Sequence, residues 1–300
     1  YDQNLKFDRL KLLSDYEKFH DFRLDITNFD ELSKVFEKFK PNYVVHLAAQ
    51  AGVRYSIDNP RSYLNSNING TFNILELIKN NDIDHTLIAS TSSVYGSNKE
   101  MPFLENQKTE NQISFYAATK KSCEVLSHSY SHIYNLPITN FRFFTVYGPW
   151  GRPDMAPMIF AKSILSRKPI EIFNNGEMKR DFTFIDDIVK AICKCSLKFP
   201  EINKKFDYFD PEPSTSFAPH KIFNIGNSNP INLIEFIEIL ENALGVKSRK
   251  IFKPLQPGDV IETFASTNKL KDWINYKPST NIEDGVRQFA QWFLEKGYKY

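Results

Sequence analysis

Across residues 29–145 the hydrophobic period of the chain changes repeatedly, and this alternation restricts the possible folds more than any other feature. Leu32, Val35, Phe36 and Phe39 recur at i, i+3, i+4 and i+7, the spacing that makes one face of a helix apolar. Pro41 ends the pattern, and Tyr43-Val44-Val45-His46-Leu47 reads as a short buried strand. Residues 66–80 return to helical spacing, with Ile68, Phe72, Leu75 and Ile78 expected inward. Thr86-Leu87-Ile88-Ala89 is the next strand, a helix follows over 115–134, and 138–145 is a further β-rich run. Strands that are apolar almost throughout have both faces covered, so the alternation predicts an α/β fold with a parallel sheet between helices. Farther on, helices are expected near 156–167, 186–197, 232–244 and 281–296, and 207–219, with three prolines and no periodicity, reads as an exposed loop.

Composition narrows the function. Three hundred residues at 41% apolar content can bury a substantial core. A net charge of +2 leaves no polybasic surface of the kind that neutralises nucleic-acid phosphates, although an anionic small molecule needs only a few cations. No run approaches the ~18 apolar residues of a membrane span, and the start lacks a signal-peptide pattern. Cys123, Cys193 and Cys195 read as free thiols of a cytoplasmic protein. Cys193 and Cys195 stand too close together for a zinc knuckle, His128 and His132 share one helix face but the segment lacks the glutamate of H-E-x-x-H, and no metal is expected.

Two short segments carry chemistry. Tyr116 and Lys120 stand four apart on a helix and so face one site. A free phenol titrates near ~10, and a neighbouring ammonium lowers that value toward the range of a useful base. Ser90-Thr91-Ser92-Ser93 follows directly on the strand ending at Ala89, where ligands bind in doubly wound sheets.

Together and in this order, the two segments resemble the extended short-chain dehydrogenase/reductases of the NAD-dependent epimerase/dehydratase family, and the resemblance runs from Asp25-Ile26 to the final helix. It implies a Rossmann-like doubly wound domain over 1–147 and a smaller α/β substrate domain over 148–300, with about 182–197 returning to the first. By the same resemblance Thr91, Tyr116 and Lys120 are catalytic. An NAD cofactor would lie against Asp25, Ile26, Leu47, Ala48, Ala49, Ser66, Ser90, Tyr116, Lys120 and Phe144. Arg54, Ser92, Ser93, Thr145, Arg152, Phe173, Arg180 and Asp259 would meet a UDP-sugar, with Phe173 near the uracil and Arg180 on the diphosphate, whose oxygens suit the guanidinium fork. A homodimer is expected.

The family's glycine-rich pyrophosphate loop has no counterpart here. The first glycine is Gly52, and the opening Tyr1-Asp2-Gln3-Asn4-Leu5-Lys6 resembles the loop after the family's second strand, which implies a β-α-β unit of roughly thirty to forty residues ahead of it. NAD versus NADP is read in that segment and stays open. Thr91-Ser92-Ser93 lacks the carboxylates that flank the threonine in dehydratases and decarboxylases, which leaves reversible hydride transfer, that is epimerisation. Phe143-Phe-Thr-Val-Tyr-Gly-Pro-Trp-Gly-Arg-Pro-Asp154 resembles the enzymes that interconvert UDP-glucuronate and UDP-galacturonate at C4. A generic UDP-glucose or UDP-N-acetylglucosamine 4-epimerase, a reductase, and a non-catalytic family member remain as alternatives.

Overall fold

The computed structural model describes residues 1–255 and 261–300; Asp259 lies outside the described residues. Parallel strands β1 (Tyr43–His46), β2 (His85–Thr91), β3 (Ile138–Phe143) and β7 (His220–Ile225) form the main sheet in that order. Alternation along β2 explains why it is covered on both sides. Ile88 faces a cluster with Leu32, Phe36, Leu75 and Ile78, whereas Leu87 faces Phe141, Ile188, Ala191 and Phe223. The first cluster sits under α2 (Phe29–Phe39), α5 (Gly70–Lys79) and α6 (Phe115–Tyr134), and the second under α8 (Ile185–Ser196) and α10 (Asn268–Ile274). Each such side chain contributes about 1.5–3 kcal/mol on burial.

Local sequence sets the helix ends. Asn28 caps α2 by accepting from the Glu31 amide at 3.2 Å, and Lys40 closes it in the left-handed conformation at φ 48°. Ser114 caps α6 by accepting from the Ala117 amide at 3.1 Å, which fixes where the Tyr116 turn begins. The remaining helices are α1 (Gln3–Lys11), the short α3 (Tyr55–Asp58) and α4 (Pro60–Tyr63), α7 (Ala156–Leu165), α9 (Leu233–Leu244) and α11 (Ile282–Trp292). A π-helical stretch, Leu64–Asn69, joins α4 to α5.

The second layer is built on β4 (Thr145–Tyr147), β6 (Lys179–Phe184) and β10 (Glu262–Thr263), all parallel, with β8 (Pro230–Asn232) antiparallel to β6. β5 (Ile170–Ile172) pairs separately with β9 (Lys250–Phe252). Its core gathers Tyr147, Phe182, Phe236 and Phe289, with Phe182 stacked on Phe236 at 4.2 Å.

Four expectations need correction. β1 forms where expected but is not buried: it ends the described sheet order, and Tyr43, Val45 and Leu47 are exposed. Phe72 is 45% exposed, not inward, and packs edge-on to Tyr130; the inward place goes to Asn73, whose amide donates to the Ile26 carbonyl at 2.9 Å. Phe39 ends α2 half-exposed beside His20. The run 138–145 is divided, because at Phe144 the chain passes from the main sheet to the second layer.

Leu87→Ala is expected to lower the unfolding free energy by about 2–5 kcal/mol in denaturant titration. Phe209→Ala, at a fully exposed position, should stay within about 0.5 kcal/mol of the parent.

Candidate active site

The carboxyl ends of β1, β2 and β3 meet the first turns of α6. β2 delivers Thr91, whose Oγ accepts from the Ser93 amide at 3.2 Å and so turns the chain into the 3-10 segment Ser92–Tyr95. The Tyr116 phenol comes down from α6 to hydrogen-bond with Thr91. Lys120 lies one turn further on, 3% exposed, and its Nζ makes no hydrogen bond to another described residue. Ser92 and Ser93 stand half-buried beside Thr91.

The electrostatics differ from expectation in one respect. Burial raises the Tyr116 phenol above its ordinary value, opposed by the Thr91 hydrogen bond and by the charge of Arg152. Arg152 is thus a cation acting on the phenol that the sequence reading had placed only on the substrate. Burial lowers Lys120, and Cys123 and Glu124 oppose the shift.

Arg152 is held by Asp154, with Nε donating to Oδ1 at 3.1 Å and Nη2 to Oδ2. Its guanidinium lies against Gly52, where an added Cβ would come 4.0 Å from Nη2 and 3.6 Å from the Tyr63 hydroxyl. Gly52 has φ +105°, a conformation that favours glycine. Arg54 reaches over the Phe173 ring at 5.1 Å, so two expected substrate residues meet each other. Arg180 donates to the carbonyls of Lys179 and Ile261 at 2.8 and 3.0 Å, on the rim of the second layer. Thr145 begins β4, half-buried and opposite Phe182.

The expected cofactor residues divide by direction. Leu47, Ala48 and Ala49 are exposed at the end of β1, an apolar stretch where the chain leaves the sheet. Asp25 is exposed, its carboxylate accepting from the Thr27 amide and hydroxyl, both at 2.9 Å. Ile26 rests on Gly70, where a Cβ would approach it to 2.4 Å. Ser66 is half-buried within the π-helical stretch. Ser90 and Phe144 turn their side chains away: Ser90 donates to Glu124 at 2.6 Å, and Phe144 is buried with Tyr95, Phe103 and Ala265. What either would offer a cofactor is backbone, because its side chain is already occupied.

A nicotinamide dinucleotide fits these residues. The observation that carries the fit is the donor set: the Lys120 cation, 3% exposed, stands one turn from Tyr116 on α6, beside the open carboxyl ends of the parallel strands, where a ribose oxygen could meet it.

Sequence reasoning missed two residues that shape the site. The Tyr63 hydroxyl donates to the carbonyls of Ala51 and Gly52, at 3.0 and 2.6 Å, and its ring stands edge-on to Tyr116 at 6.0 Å. The Asn67 side chain accepts from the Gln50 amide at 2.8 Å and donates to the Gln50 carbonyl and to Thr119. A fully buried Asn in the run Asn65-Ser-Asn-Ile-Asn69 leaves a weak sequence signal, an excess of amides inside a helix; Tyr63 leaves none.

Comparisons with known proteins agree with this geometry. Residues 4–208 match the model of the NAD dependent epimerase/dehydratase family. The chain is 51% identical over 295 residues to "Protein CapI" of Staphylococcus aureus, covering 98% of this chain and 88% of that protein. It is 43% identical over 299 residues to UDP-glucuronate 4-epimerase 1 of Arabidopsis thaliana, covering 98% and 68%. Among solved structures, UDP-glucuronic acid 4-epimerase of Bacillus cereus, in complex with UDP-glucuronic acid and NAD, superposes with a TM-score of 0.85 at 32% identity over 97% of this chain and 87% of that one. With the Thr91–Tyr116–Lys120 cluster set at the ends of a parallel sheet, the chain belongs to the NAD dependent epimerase/dehydratase family.

Proposed function

We propose that the protein is a UDP-sugar 4-epimerase that interconverts UDP-glucuronate and UDP-galacturonate. The observation that carries this reading is the Tyr116 phenol set against Thr91 with the charge of Arg152 acting on it, supported by relatives that bear that activity in their names. NAD, held by Lys120 and the exposed end of β1, would supply a reversible hydride acceptor. Tyr116, as phenolate, takes the C4 hydroxyl proton while the C4 hydrogen leaves as hydride, and Thr91 hydrogen-bonds the same oxygen. Return of the hydrogen to the other face of the 4-keto sugar would invert C4, with Tyr116 giving the proton back to the C4 oxygen. No net oxidation results.

A uronic acid adds a constraint. Its 4-keto form is a β-keto acid, which loses CO₂ when the bond to the carboxylate aligns with the carbonyl π system. Asp154 occupies Nε and Nη2 of Arg152 and leaves Nη1 to grip a C6 carboxylate, with the hydroxyls of Ser92, Ser93 and Thr145 proposed to help hold it. The same Arg152–Asp154 pair also favours a second reading, in which Arg152 only shapes its loop and the substrate is a neutral UDP-hexose. Arg180 and Phe173 on the nucleotide, and Asp259 on the ribose, complete the proposed substrate site.

A homodimer and a cytoplasmic location belong to the same proposal. Phe72, Val125 and Ile133 are exposed on α5 and α6, which suits helix pairing between two copies. The three cysteines are free thiols, and among the described residues no helix is long and apolar enough to cross a membrane.

Tyr116→Phe is expected to lower kcat by about two to four powers of ten with little change in UDP-sugar affinity, read by coupled assay and calorimetry. Arg152→Ala should cost UDP-glucuronate roughly ten- to hundredfold more in kcat/KM than UDP-glucose, the value of one charged hydrogen bond, and raise CO₂ release per turnover. Equal losses for both sugars would transfer the assignment to a UDP-hexose.

A further inference from the structure

Beneath the Thr91–Tyr116–Lys120 cluster lies a buried charged assembly that the proposed reaction does not use. Tyr116, Lys120 and Glu124 form one stripe along α6, each four residues from the last. Glu124 is 2% exposed, and Arg142 on β3 is wholly buried. Arg142 donates to Glu124 from Nε at 2.9 Å and from Nη2 at 3.0 Å, a two-pronged pair. Glu124 also accepts from Ser90 at 2.6 Å, the residue directly before Thr91, and from Lys121 at 3.4 Å. The Arg142 guanidinium further covers the ring of Tyr95 at 4.9 Å, and the Tyr95 hydroxyl donates to Asn224 at 2.6 Å. One ion pair thus ties α6 to β2, to β3 and to the segment that carries Thr91.

Resting on the epimerase reading, we propose that Glu124 is the counter-charge of Lys120: it keeps the buried ammonium protonated and, through Ser90 and Arg142, sets α6 at the spacing that lets Tyr116 meet Thr91. It acts through Lys120 and is a positioning residue. The titratable groups facing Lys120 are Tyr116, Cys123 and Glu124 on its own helix and His46 on β1, and burial raises the Tyr116 phenol. Burial holds the His46 imidazole neutral, with a pKa of about 3, and pushes the Cys123 thiol up, so neither carries charge at neutral pH. Burial pushes Glu124 up as well, but the charge and hydrogen bonds of Arg142 outweigh it and hold the carboxyl below its ordinary value. Glu124 is therefore the anion that faces Lys120 at neutral pH.

The test is an NMR titration of protein carrying ¹³C at lysine Cε, with the Lys120 signal assigned by its loss in Lys120→Met. Glu124→Gln should lower the Lys120 midpoint by about one pH unit or more, the usual effect of an adjacent opposite charge. Because Arg142 is then left unpaired, Glu124→Gln/Arg142→Met serves where the single variant does not fold, and its midpoint should fall in the same direction. The alkaline limb of the epimerisation pH profile should move with the titration. A midpoint that stays at the wild-type value in the folded variant overturns the proposal, even if melting temperature drops, since a merely structural role would lower stability alone. Wild-type protein without 4-epimerase activity would defeat the functional reading and leave the titration to decide this one.

Discussion

Arg142 lies inside the protein with no access to water, and a guanidinium there is tolerable because Glu124 meets it with two hydrogen bonds, the Glu105 carbonyl accepts a third at 3.4 Å, and Tyr95 covers its face. Such a pair adds little net stability, because its attraction is offset by the loss of hydration of both ions, yet removing one partner costs about 3–5 kcal/mol. What it provides is registry. Glu124 and Tyr95 both meet this one cation, and Ser90, directly before Thr91, donates to Glu124. The parallel sheet brings their segments to the same end, and the ion pair fixes how they lie against one another.

Above that anchor the site balances burial against charge. Tyr116 is desolvated, which opposes ionisation, while Thr91 and Arg152 favour the phenolate. Arg152 is in turn positioned by Asp154 and by the loop at Gly52, which the buried Tyr63 holds closed. The proposed proton acceptor and the proposed carboxylate grip are therefore linked through Arg152, and on the proposed function a change there reaches both the chemistry and the choice of sugar.

Much of this was legible in the sequence because it is local. The strand–helix alternation predicted the parallel sheet, and the Tyr116–Lys120 spacing and the hydroxyls after β2 pointed to the end of the sheet where those side chains come together. What escaped were contacts made across long stretches of chain. Glu124 and Arg142 are 18 residues apart and Asn67 and Thr119 are 52 apart, and no periodicity signals either pair. Phe72 was misassigned for a related reason: the inward face of α5 is set by Asn73 reaching the Ile26 carbonyl, a polar contact that hydrophobic spacing does not register. Ser90 and Phe144 stand beside site residues in sequence, but their side chains serve the assembly beneath. The influence of Arg152 on Tyr116 joins residues on separate elements and emerged only from the folded chain.

The central claim is that the hydrogen leaving C4 is the one that returns to it. UDP-glucuronate incubated with the protein in D₂O should give UDP-galacturonate with protium at C4, read by proton NMR of the purified product. Deuterium at C4 would show exchange with solvent and contradict a closed hydride cycle, and absence of any C4 epimer would contradict the assignment itself.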